Sequence, residues 1–163
     1  MKKIFLYILI ILNFTSVSLA ENLKFKKIAT LDKPWGSSFI SNDEIIITEK
    51  SGKIKIVNIL TNNVIQKEHN LNFLEHGQGG LLDILHKDNF IYISYSENRE
   101  NWKTSTSIAK AKLDKKKLLF KNIFQANPPI DSGYHFGSRL AIKDNYLFAS
   151  AGERGKGMIA QDV

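Results

Sequence analysis

A chain of 163 residues without a single cysteine can hold neither a disulfide framework nor a cysteine-based zinc site or nucleophile. Its formal charge of +7 comes from 23 lysines and arginines against 16 acids. The lysines are scattered, as in Lys115 to Lys117, so the charge describes a solvated basic surface and not a nucleic-acid face.

The first twenty residues do not read as fold. Met1-Lys2-Lys3 is a basic head, Ile4 to Leu12 is an apolar run, and Ser18 and Ala20 occupy the small positions before a cleavage point. That is the three-part pattern of a secretory signal peptide over residues 1–20, cut after Ala20. The apolar run is shorter than the roughly 20 residues of a spanning helix, so no membrane span is expected after cleavage. With no cysteine at the cut, lipid attachment is excluded. Removing twenty residues from 163 leaves 143, a single-domain length, and the charge falls to +5 with Lys2 and Lys3. An exported chain without cysteine suits a bacterial periplasm.

The remainder, residues 21–163, reads as strands in order. Glu44 to Thr48 (EIIIT) is β-branched, and Lys53 to Ile59 (KIKIVNI) alternates polar and apolar residues with the period of a half-buried strand. The link EKSG between them has a glycine where a hairpin needs one. Val64 to Lys67, Asn89 to Ser96, Ser105 to Leu113, Leu118 to Ala126 and two short strands within Ala141 to Gly152 follow. No stretch has a helical period.

Three of these segments repeat one unit. SNDEIIITE (Ser41 to Glu49), HKDNFIYISYSE (His86 to Glu97) and IKDNYLFASAGE (Ile142 to Glu153) each carry an aspartate turn, an apolar strand and a terminal Glu. Asp43, Asp88 and Asp144 lie 45 and 56 residues apart. A period of about 40–50 residues with about four strands per unit is the signature of a β-propeller blade; a plain antiparallel sandwich is the alternative. The chain then holds about two and a half four-stranded blades, and a propeller closes with roughly 4–8. The expected fold is all-β, a partial propeller that forms the N-terminal part of a longer protein.

In a propeller, segments just before an inner strand converge at one end of the axis. Three glycine-containing segments hold such places: Pro34 to Phe39 (PWGSSF), His76 to Ile84 (HGQGGLLDI) and Gly133 to Leu140 (GYHFGSRL). His135 lies in the third. Imidazole, with an unperturbed pKa of about 6.5, is suited to work as a base near neutral pH. His69, His76 and His86 have no carboxylate or histidine at metal-ligand spacing and are expected on the surface. GERGKG lacks the spacing of a phosphate loop, and no helix follows it.

Five motifs in register, KPWGSSF, GQGGLLDI, IYISYSE, YHFGSRL and GERGKG with AQD, resemble the glucose/sorbosone dehydrogenase family, the soluble PQQ-dependent sugar dehydrogenases. The aldose sugar dehydrogenase branch is the nearest in pattern. The resemblance spans residues 24–163 and matches the first two-fifths or so of a family member. It implies a six-bladed propeller that oxidises the anomeric carbon of an aldose to a lactone, passing hydride to PQQ, with Ca²⁺ beside the quinone and an external electron acceptor. It gives His135 the role of general base and Glu153 that of its orienting carboxylate. Gln78 and Gln161 are expected to line the sugar and cofactor cavity, Arg139 and Asp162 to brace loops, and Trp35 to pack in the core. The PQQ and calcium ligands are expected mostly outside this chain. A short HKDNF turn and Tyr134 beside the base depart from the family pattern, and Tyr134 could narrow the sugar pocket. A propeller that binds a carbohydrate or a protein without catalysis is the alternative function.

Overall fold

The computed structural model describes residues 24–114 and 116–158. The expected signal peptide, Gln161 and Asp162 lie outside them. Among the described residues there are eleven strands and one short 3-10 turn, Glu100–Trp102.

The first sheet is built from β1 (Pro34–Phe39), β2 (Glu44–Glu49), β3 (Lys53–Asn58) and β4 (Val64–His69), joined in order as an antiparallel meander. The second contains β5 (Leu81–Lys87), β6 (Phe90–Asn98), β7 (Thr104–Lys112) and β9 (Lys121–Gln125), again antiparallel throughout. Between β7 and β9, the two residues of β8 (Lys117–Leu118) pair in parallel with β4 of the first sheet. The third unit is the hairpin of β10 (Gly137–Lys143) and β11 (Tyr146–Ala151). Two four-stranded blades and half of a third therefore stand where the repeat placed them. The aspartate turns are the connections β1–β2, β5–β6 and β10–β11.

Isoleucines hold the blades together. Ile46, Ile54, Leu81, Ile84, Ile91 and Ile93 are at most 1% exposed and share one cluster with Tyr95, Leu118 and Phe120. Each such side chain contributes about 1.5–3 kcal/mol by leaving water. The β-branched run of β2 and the alternation in β3 and β6 are the sequence trace of this core.

The inner strands differ from expectation. PWGSSF, LLDI and GSRL are expected just before the inner strands, yet they are the inner strands β1, β5 and β10 themselves, or parts of them. Each carries a register shift at the same place, between Pro34 and Ser37, Leu81 and Ile84, and Gly137 and Leu140. These bulges break the two-residue period, and the glycines and serines that let neighbouring inner strands approach closely remove the apolar signal. Leu118 to Ala126 is also split. Asn70 clasps the Phe120 backbone, its Nδ2 donating to Phe120 O at 3.0 Å and its Oδ1 accepting from Phe120 N at 2.7 Å, which turns the chain from one blade to the next. Trp35 is half exposed, not core, because its bulged strand turns it outward.

A hydroxyl in the second strand of each of the first two blades joins that blade to its successor. Thr48 Oγ1 accepts the Gly36 N–H at 2.9 Å and donates to Leu82 O of β5 at 2.5 Å. Ser94 Oγ accepts the Asp83 N–H at 3.0 Å and donates to Ser138 O of β10 at 2.6 Å. In the third hairpin, Ser150 Oγ accepts the Arg139 N–H at 3.0 Å. The bulge frees an N–H, and the hydroxyl satisfies it while reaching across. Thr48→Val keeps the shape but orphans the buried Gly36 N–H, so it should cost about 1–3 kcal/mol in urea denaturation, whereas Thr48→Ser should be near neutral.

Candidate functional site

The segments before β5 and β10 meet at one end of the sheets. The Gln78 N–H donates to Gly133 O at 2.7 Å, and the His135 N–H donates to Gln78 Oε1 at 2.9 Å. A side chain at Gly77, whose φ is +56°, would come within 2.4 Å of Gly133 O, so this approach is open only to glycine. The ammonium of Lys50 donates to Gly77 O, tying the end of β2 to the same corner.

His135 stands at this corner. Its φ of +48° lies in the left-handed region, and its side chain is 53% exposed. Nδ1 is hydrogen-bonded to Glu153 Oε1, although the residues are 18 apart in sequence. The β10–β11 hairpin runs out and back between them. Gly152 lets the strands close here: a Cβ at Gly152 would fall 2.0 Å from His135 O. With the carboxylate on Nδ1, that nitrogen carries the proton and Nε2 presents a lone pair. Three of the expected residues, His135, Glu153 and Gln78, therefore come together, and Gln161 lies outside the described residues. Gln78 Oε1 is committed to the His135 backbone, which leaves Nε2 as its donor for a ligand.

The hydrogen bond from His135 holds the Glu153 carboxyl below its ordinary value of 4.5, against a weaker upward pull from desolvation. A lowered folded-state value means that the unfolded chain takes up this proton first as pH falls. The stabilisation is full above the ordinary carboxylate range and is lost as pH falls through the lowered folded value. Acid titration of the denaturation midpoint should show this loss, and Glu153→Gln should remove that part of the acid limb.

Two residues that sequence reasoning left without a role stand behind the corner. Asp83 is buried; its Oδ2 accepts the Leu140 N–H of β10 at 2.8 Å and its Oδ1 accepts the Ile84 N–H at 3.0 Å. An acid inside the apolar run LLDIL is the signal that could have revealed it, because buried carboxylates are rare without partners. Arg154, 5% exposed, fills the bracing role expected of Arg139. The Arg139 side chain is 83% exposed and reaches only Asp83, at 3.6 Å, because β10 turns it away from the loops. His69 is not a surface residue either: its Nε2–H donates to Gly52 O at 2.7 Å, and its Nδ1 accepts the Leu71 N–H at 3.2 Å. His76 is exposed and His86 partly buried.

Among the described residues, no group of three or more His, Cys, Asp and Glu is placed to hold a metal ion. The carboxylates at this corner are already engaged, Glu153 by His135 and Asp83 by two backbone N–H groups. Nor is any helix of the described residues long and apolar enough to cross a membrane.

The sheets and this corner define a class: a β-propeller that gathers polar residues at the entrances of its inner strands. Within that class, the chain belongs to the glucose/sorbosone dehydrogenase family. The family model described as Glucose / Sorbosone dehydrogenase matches residues 31–163. The aldose sugar dehydrogenase YliI of Escherichia coli K12 is 32% identical over 143 residues, covering 82% of this chain and 38% of that protein. An uncharacterised protein of Synechocystis, slr1608, is 33% identical, covering 77% of this chain and 34% of its own length. The crystal structure of the soluble E. coli aldose sugar dehydrogenase in its apo form superposes with a TM-score of 0.74 at 29% identity, over 81% of this chain and 41% of that one. The PQQ-bound aldose sugar dehydrogenase of Streptomyces coelicolor shares the fold with a TM-score of 0.74 at 21% identity, over 85% of this chain and 43% of its own. The chain spans about two fifths of the length of these relatives.

Proposed function

We propose that this chain is the N-terminal part of an exported, PQQ-dependent aldose dehydrogenase that oxidises the anomeric carbon of an aldose to a lactone. The observation that carries this is the His135–Glu153 pair beside Gln78 in a member of a sugar dehydrogenase family. The aldose substrate and the PQQ follow the two relatives named for them. Export to the periplasm rests on the signal-like residues 1–20, which leave 21–163 as the propeller portion. A longer propeller is supported by the relatives, of which this chain covers 38% of the E. coli enzyme and 41% of its solved structure.

His135 Nε2 takes the proton of the anomeric hydroxyl as the C1 hydrogen departs with its electron pair. Glu153 holds the ring in the tautomer that leaves Nε2 free, and it stabilises the imidazolium that forms. Gln78 Nε2 donates to a sugar hydroxyl or cofactor oxygen. PQQ, when bound, supplies the two-electron acceptor, which an external acceptor reoxidises. The base and the amide fit one wall of such a site; the cations that would hold the PQQ carboxylates are not assigned among the described residues. Ca²⁺ is assigned no ligand here and no step.

The test uses the product of the complete reading frame with PQQ, Ca²⁺, glucose and an artificial dye. Sugar-dependent dye reduction is expected. Sugar binding without dye reduction would replace this reading with a carbohydrate-binding propeller.

A further inference from the structure

The motif GERGKG contains, next to the expected partner of the base, a buried cation that the chemistry above does not use. Arg154 is 5% exposed, and its partners are neutral. Nε donates to Tyr134 O at 3.0 Å, one terminal nitrogen donates to Thr104 O at 3.0 Å, and the other donates to Thr104 Oγ1 at 2.6 Å and to Ser132 O. The guanidinium plane lies over the Phe136 ring, 3.7 Å from its centroid. A charge so far from water with no carboxylate partner is costly. Burial alone lowers its pKa to about 10.

What the guanidinium grips is the His135 loop. Ser132 and Tyr134 precede the histidine, Phe136 follows it, and the Arg154 N–H itself donates to His135 O at 3.4 Å. His135 is in the left-handed region, and so is Arg154, at φ +58°. Such conformations are strained and persist only when the surroundings over-determine them. The turn at Arg154 separates two neighbouring side chains. The Glu153 carboxylate takes the imidazole, and the Arg154 fork takes the carbonyls on either side of Gly133 and stacks on the residue after the histidine. Thr104, at the start of β7, is the fixed point to which the loop is tied.

We infer that Arg154 is a positioning residue for His135: its planar fork fixes the 132–136 loop to the second blade so that the imidazole meets Glu153 in one orientation. A lysine offers three donors at one point and cannot span Ser132 O, Tyr134 O and Thr104 O together. The proposal rests on the reading of His135 as the base, but its structural part can be measured without turnover.

The experiment compares full-length wild type, Arg154→Ala and Arg154→Lys. ¹⁵N-histidine NMR reads the His135 tautomer, with the signal assigned by its loss in His135→Asn, and ¹³C-glutamate NMR reads the Glu153 titration. In both Arg154 variants the proton on Nδ1 should cease to be fixed, and the Glu153 titration should move up toward its ordinary range. Sugar-dependent kcat should fall about 100-fold, the scale of an ångström misplacement, with KM less affected. Millimolar guanidinium should recover part of the rate in Arg154→Ala. If alanine does not fold, the lysine variant carries the same readouts. A folded variant with the wild-type tautomer and Glu153 titration overturns the proposal. If wild type itself does not oxidise sugar, the base reading fails, and the NMR arms still decide the role of Arg154.

Discussion

His135→Asn in the full-length protein should abolish sugar-dependent dye reduction while leaving the fold almost untouched. Loss of a positioned general base costs about 10²- to 10⁴-fold. Asparagine is chosen because it tolerates the left-handed region, so φ +48° can be kept without new strain. The backbone contacts also survive: the His135 N–H still finds Gln78 Oε1, and its carbonyl still accepts from Arg154 N–H. The side chain is more than half exposed, and the bond it loses is that to Glu153. Turnover should therefore collapse with a melting curve within a few degrees of wild type. Undiminished dye reduction would remove His135 from the mechanism.

Asp83→Ala should do the opposite, damaging stability first and activity as a consequence. It removes the acceptor for two buried N–H groups, Ile84 in β5 and Leu140 in β10. Each orphaned group costs about 1–3 kcal/mol, so a loss of about 2–6 kcal/mol is expected in chemical denaturation. Leu140 is 4% exposed, so its N–H depends on the carboxylate that faces it. The bond joins the third hairpin to the second blade, and His135 and Glu153 flank that hairpin. Loosening it should weaken the pair as well. Asp83→Asn keeps one acceptor oxygen and should recover part of the loss. An alanine variant as stable as wild type would show that the blades are held together without this residue.

The strands that bury one face were legible because isoleucine alternation is a direct image of the core: Ile54, Ile56, Ile91 and Ile93 could be counted in the letters. The inner strands were hidden by the features that make them inner strands. Their bulges shift the period at Ser37, Ile84 and Leu140, and their small residues serve close approach. The Asp turns still marked the hairpins, so the architecture could be read before its strands could be bounded. The pairing of His135 with Glu153 was legible because a hairpin returns to the end it left. Arg154 was not, since Arg139 and Arg154 look alike in sequence and only the packing decides which is 83% and which 5% exposed.

The central claim is that the site acts on an anomeric hydroxyl. The most direct measurement compares glucose with its methyl glycoside, in which that hydroxyl is blocked, in dye reduction by the full-length protein reconstituted with PQQ and Ca²⁺. Reduction with glucose and none with the glycoside is the predicted result. Equal rates with the two sugars, or no reduction with either, would contradict it.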